Sequence, residues 1–143
     1  ISKFESLAES LEIKTSIYFS YLELCERLSS LISVYSNGCQ PQSNNPPWLF
    51  TIFLNPKVFE QRARESIMKQ LLQAGIETRP TFYPLSSMPC YAPYAISVDY
   101  STSNYSLYGI SLPFYDALKF DDTVYITDQL ARQLKDHEAH NPS

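Results

Sequence analysis

The sequence predicts an α+β fold: a small, few-stranded and mainly antiparallel sheet covered by helices. Three observations carry that expectation. Apolar residues recur at helical spacing at both ends of the chain and again in its middle. Short runs with strand character, WLFTIFL (48–54), IETR (76–79) and GISL (109–112), lie between those helices. Prolines and glycines bound each run, so that no element merges with its neighbour. The resulting order of helix, strand, helix, strand, loop, strand, helix is that of a sheet layered against helices.

The opening helix is marked by Phe4, Leu7, Ala8 and Leu11, then by Tyr18, Tyr21, Leu22, Cys25, Leu28 and Leu31. The spacing fits one long helix, or two joined near Ile13–Thr15. Asn37-Gly38 and QPQSNNPP (40–47) form a polar, proline-rich loop without periodicity. WLFTIFL follows, and its length, aromatic content and flanking prolines favour a central buried strand. Asn55 as cap, Pro56 at the first helical position and Gly75 past the last turn delimit a helix over 56–74. Leu54 and Phe59 are spaced as a hydrophobic staple across that cap. Phe59, Ala63, Ile67 and Leu71 form the apolar stripe, while Glu60–Arg64 and Glu65–Lys69 read as i,i+4 pairs on a wet face. Residues 92–108 are rich in Tyr and Ser and read as irregular, with a short helix near 101–108. After GISLP, Asp121 and Asp122 open a last helix through Val124, Ile126, Leu130 and Leu134, over 121–136. Trp48, Phe50, Ile52, Ile67 and Leu71 are expected in the core.

Composition narrows the function classes. With 44% apolar and 18% charged residues the chain is globular rather than disordered. A net charge of −4 without a basic stripe argues against a nucleic-acid partner. No apolar run reaches the roughly 20 residues that span a bilayer, so no membrane partner is expected. Cys25, Cys39 and Cys90 are widely spaced, odd in number and free of CxxC, which points to reduced thiols and a cytoplasmic setting. His137 and His140 stand three apart in the tail DHEAHNPS without further ligands, and no metal site is expected. The chain starts at Ile1 and enters helical periodicity at once, as if cut from a longer polypeptide.

GIETRPTFYPLSSMPCY (75–91) is the stretch that asks for a function. It holds Arg79, Phe82 and Tyr83 in a connector stiffened by Pro80, Pro84 and Pro89. Arg79 offers a planar fork suited to a carboxylate or a phosphate. Phe82 and Tyr83 can pack against a sugar or a base. The competing readings are a rigid edge loop and, for Arg79, a structural ion pair.

WLFTIFL with the helix after it, GIETRPTFYPLSSMPCY, and GISLPFYDALKFDDTVYITDQL together resemble the C-terminal portion of the nucleotide-sugar aminotransferases of the DegT–DnrJ–StrS family. The resemblance covers essentially the whole chain, with the blocks in the family's order. It implies the C-terminal small domain of a fold-type-I, pyridoxal-phosphate (PLP) enzyme over residues 1–143. Within that domain, 1–32 would be the leading helix region, 48–136 the α+β core and 137–143 a tail. The implied chemistry is amino transfer to a nucleotide-linked keto-sugar, in a protein that is a homodimer when complete. The implied partner within the polypeptide is an N-terminal large domain carrying the cofactor lysine and the aspartate on the pyridine nitrogen. None of Lys3, Lys14, Lys57, Lys69, Lys119 and Lys135 sits in a block resembling that site, and there is no Gly-rich phosphate loop. This chain alone is expected to hold no cofactor and to have no catalytic residue. The resemblance puts Arg79, Phe82, Tyr83 and Ser86 on the substrate side. Many relatives carry histidine where this chain has Ser86, which cannot supply a cation or an acid–base group. Alternatives are a dehydratase relative of the same fold and a non-catalytic, free-standing binding domain.

Overall fold

Helix α1 runs unbroken from Ser2 to Glu26. The structure is a computed structural model that describes residues 2–35, 47–84, 88–91, 93 and 105–139. Polar side chains inside α1 bond back to its own turns, with the Thr15 hydroxyl donating to the Leu11 carbonyl at 2.7 Å, and the helix carries through Ile13–Thr15 without a joint.

Strand β1 (Ile32–Val34) is the element the sequence pattern hides. Helical spacing runs on through Leu28 and Leu31, yet α1 ends at Glu26. Tight turns take over, in which Leu28 N–H donates to the Cys25 carbonyl and Leu31 N–H to the Leu28 carbonyl. Both leucines still reach the core, which keeps the periodicity alive after the helix has stopped.

The expected strands at 48–54 and 109–112 form as β2 (Phe50–Leu54) and β4 (Gly109–Leu112). The run at 76–79 contributes only at its end, as β3 (Arg79–Pro80). Pro80 has no N–H to donate, and its place on an edge strand leaves no central ladder bond unmade. The strand order is β1-β2-β4-β3 and every neighbouring pair is antiparallel. Phe50 faces Leu112, Thr51 faces Ser111, and Arg79 faces Ser111 from the other side.

Helix α2 spans Ala63–Gln73, not 56–74. Asn55 and Pro56 do open a turn: Val58 and Phe59 N–H both donate to the Asn55 carbonyl, and Lys57 N–H donates to Asn55 Oδ1 at 3.0 Å. The chain then leaves helical geometry around Glu60, with Phe59 buried, and restarts at Ala63. The stop is as expected: Gly75 has φ of 80°, a conformation that a Cβ would strain. Helix α3 covers Phe120–Ala139, so the predicted tail begins as helix, and α3 packs against both α1 and α2.

The core lies between one face of the sheet and the three described helices. Phe50, Ile52, Leu54 and Ile110 point into it beside Tyr18, Tyr21, Ile67, Leu71, Leu130 and Leu134. Tyr21 stacks on Phe50 with ring centroids 4.7 Å apart, and its hydroxyl donates to the Pro113 carbonyl, so a polar tip is satisfied inside an apolar layer. Trp48 is not in this core. It precedes the first residue of β2, is 68% exposed, and stacks on Phe82. The Asn37-Gly38 loop, Cys39, most of 92–104 and His140 lie outside the described residues.

Candidate functional site

The other face of the sheet carries Thr51, Phe53, Gly109, Ser111 and Arg79 by strand alternation. Thr51 Oγ1 and Ser111 Oγ are 3.0 Å apart and nearly buried, so their hydroxyls satisfy each other across β2 and β4. Arg79 completes that cross-strand row at the edge. Its side chain is exposed, and among the described residues it forms no ion pair. It borders a cavity of about 680 Å³ whose wall includes Glu77, Ser111, Tyr115, Asp122 and Tyr125. The cavity opens between the segment leaving α2, the end of β4 and the start of α3. Asp122 is already engaged, accepting from Lys119 N–H at 2.9 Å at the head of α3.

The connector after Arg79 is held down at three points. Thr81 N–H donates to the Gly109 carbonyl at 3.2 Å, and its hydroxyl donates to the Ser106 carbonyl at 2.7 Å. Gly109 is where Thr81 crosses the sheet: a Cβ there would collide with Thr81 Cγ2 and Oγ1 and lie 2.9 Å from Phe53 Cε1. Phe82 is 76% exposed and stacks on Trp48 at 6.3 Å with planes 12° apart. The Tyr83 hydroxyl accepts a hydrogen bond from Arg64 Nη2 at 3.1 Å. Arg79, Phe82 and Tyr83 therefore share one tethered segment, but only Arg79 borders the cavity. Ser86 lies outside the described residues.

Arg64 was expected on a wet face, paired with Glu60, and is instead buried. Nη1 donates to the Ser106 carbonyl at 3.0 Å and Nη2 to Tyr83, with the guanidinium carbon 5.8 Å from the Tyr83 ring centroid. The Glu65 carboxylate, 3.9 Å away, is solvent-exposed. The signal was present in the sequence: Arg64, Ile67 and Leu71 follow i, i+3, i+7 spacing, which places the arginine on the buried stripe.

More aromatic surface flanks the site. Phe53 meets Tyr105 and Tyr35 edge to face at 6.0 and 6.3 Å, and both tyrosines are more than half exposed. Among the described residues no group of His, Cys, Asp and Glu is arranged to hold a metal, and the His137 ring hydrogen-bonds Gln70 at 3.0 Å. No described helix is long and apolar enough to cross a membrane.

Comparison with known proteins assigns this arrangement. No curated protein sequence matches the chain. Solved structures do. The apo form of Spr1654 from Streptococcus pneumoniae, a candidate sugar aminotransferase, superposes with a TM-score of 0.79 at 15% identity, over 97% of this chain and 34% of that one. Helicobacter pylori PseC, an aminotransferase involved in the biosynthesis of pseudoaminic acid, gives 0.78 at 14% identity, over 94% and 35%. A Brucella abortus DegT DnrJ EryC1 StrS aminotransferase gives 0.70 at 21% identity, over 92% and 33%. Spr1654 also has structures in PMP and PLP forms. The chain thus spans about a third of the length of these structures. The model of the DegT/DnrJ/EryC1/StrS aminotransferase family matches residues 1–131, and the chain belongs to that family.

Proposed function

We propose that this chain is the C-terminal small-domain part of a PLP-dependent aminotransferase that aminates a nucleotide-linked keto-sugar. The single observation behind this reading is the family match over residues 1–131, joined to the fact that the chain spans only a third of its structural neighbours. PLP, when bound, supplies the electron sink and carries the amino group. Among the described residues no lysine borders the cavity beside Arg79, and Gly75 and Gly109 serve a helix stop and a close strand crossing, which supports a cofactor site on the large domain in this reading. In this reading a large domain supplies the cofactor lysine, the complete protein is a cytoplasmic homodimer, and 1–143 alone is inactive.

The role left to this chain is to bind and enclose substrate. Arg79 offers a charge-assisted contact to a carboxylate or phosphate, because no described carboxylate neutralises it. Phe82 and Tyr83 supply aromatic surface for a sugar or base, and Ser86 is assigned to the substrate side on the family resemblance alone. The exposed aromatic rings around Phe53 offer a surface for the large domain. The test is to incubate residues 1–143 with PLP, glutamate and a nucleotide-linked keto-sugar, alone and then as part of the polypeptide that includes a large domain. Release of 2-oxoglutarate is expected only from the second. A stoichiometric, borohydride-reducible PLP adduct on one lysine of 1–143 overturns the reading.

A further inference from the structure

Arg64 is the one described arginine that is buried, and its carboxylate neighbour, Glu65 at 3.9 Å, is itself solvent-exposed. Its guanidinium is spent on a backbone carbonyl and a phenol, and Nε has no partner among the described residues. A cation in such a place is costly, and an apolar side chain of similar length would fill the same space without that penalty. The fold alone gives no reason for the charge.

The direction of the Arg64–Tyr83 bond supplies one. A guanidinium only donates, so Tyr83 must accept through its oxygen, and the single phenolic hydrogen is left to point elsewhere. Tyr83 is 46% exposed and no described acceptor takes that hydrogen. Thr81 and Arg64 both donate to the Ser106 carbonyl, so the segment carrying Tyr83 is fixed from both sides. A cation donating into a hydroxyl also polarises its O–H, which strengthens the bond that this hydrogen makes to an anion. We propose that Arg64 is a positioning residue that sets Tyr83 as a directed hydrogen-bond donor to a diphosphate oxygen of the substrate. The inference rests on the aminotransferase reading for its choice of ligand. It assigns Tyr83 a polar task, distinct from the aromatic packing offered by Phe82.

The test uses the complete natural polypeptide and inorganic pyrophosphate, the portion common to nucleotide diphosphates, titrated by phosphorus NMR. Tyr83→Phe removes only the hydroxyl, and Arg64→Met removes the charge while keeping the stem. Each is expected to weaken pyrophosphate about tenfold to hundredfold. The double variant is expected to be no weaker than either single one, because both changes break one contact. Arg64→Lys, which keeps the charge but cannot fork to Ser106 and Tyr83 together, is expected to fold as the wild type and to bind weakly. Arg64 is only a brace if Tyr83→Phe binds pyrophosphate normally, or if Arg64→Lys loses thermal stability with affinity intact. A wild-type protein that does not bind pyrophosphate also overturns the proposal. Transamination is scored separately: an active enzyme indifferent to Tyr83→Phe sinks this inference alone, whereas an inactive one sinks the functional reading and leaves the binding cycle to decide the rest.

Discussion

Gly109→Ala tests whether the connector is held on the sheet by close approach. A Cβ at residue 109 would run into Thr81 Cγ2 and Oγ1 and sit 2.9 Å from Phe53 Cε1. Phe53 is fixed in β2, so Thr81 must yield. Moving it breaks the 2.7 Å hydroxyl bond to Ser106 and loosens the 3.2 Å bond from Thr81 N–H to Gly109. Overpacking of this kind costs about 1–3 kcal/mol, and the lost hydrogen bond adds about 0.5–1.5 kcal/mol. For a domain of this size the sum lowers the melting temperature by roughly 5–15 °C. Thr81→Ala removes both colliding atoms, so in the Gly109→Ala background it should restore stability, whereas alone it should destabilise. Calorimetric melting of the four proteins gives the coupling directly. Additive changes, or a Gly109→Ala variant that melts with the wild type, would refute the argument that Thr81 pins the connector.

Other outcomes follow from the same geometry. Leu71 is fully buried, and Leu71→Ala should lower unfolding free energy by about 2–5 kcal/mol in a denaturant titration. In the complete enzyme, Arg79→Met should reduce kcat/KM by roughly tenfold to over a hundredfold with melting temperature unchanged; a fall in melting temperature with kinetics intact would make Arg79 a brace. The Ser10 hydroxyl donates to Asp116 and Lys14 Nζ lies 3.5 Å from it, which together hold the Asp116 carboxyl below its ordinary value of 3.8. A depressed carboxylate stabilises the fold above its unfolded pKa and loses that contribution as pH falls through the lower folded value, so the anchor of the loop after β4 on α1 should be lost only as pH falls below the ordinary value of 3.8. Asp116→Asn should flatten that acid limb in melts run from pH 5 downward. Burial pushes the Cys25 thiol up to about 12, while Cys90 is exposed, so iodoacetamide on the native protein should label Cys90 and spare Cys25, as peptide mass spectrometry would show.

Much of the layer was legible because its signals are local. Gly75 stops α2 through its own positive φ, and the apolar runs of β2 and β4 need only their bounding residues to be found. What escaped depends on partners distant in sequence. Three residues of β1 carry no period of their own, and only their pairing with β2 makes them a strand. Trp48 reads as an inward residue because it heads an apolar run, but Phe82, more than thirty residues later, stacks on it outside the core. Arg79, Phe82 and Tyr83 could be named from a single stretch, yet their division between a cavity edge, an aromatic stack and a hydrogen bond is tertiary information.

Arg64 shows how such an error arises from sound rules. Residues four apart make good surface pairs, and Glu60–Arg64 has that spacing in a favourable order. But successive steps of four advance a helix by about 40° beyond a full turn, so a stripe drawn as 59, 63, 67, 71 drifts around the axis. The alternation of three and four that cancels the drift runs through 64, 67 and 71, the three buried residues of α2. The i,i+4 pair with Glu60 was unavailable for a second reason: Glu60 precedes the helix, whose first residue is Ala63. The late start of α2 and the inward turn of Arg64 are therefore one event. Shortening the helix frees Arg64 from Glu60, and the core-facing position then delivers its guanidinium to Ser106 and Tyr83. A charge on the stripe that keeps heptad spacing is thus the pattern to seek when a helix backs a connector rich in tyrosine and proline.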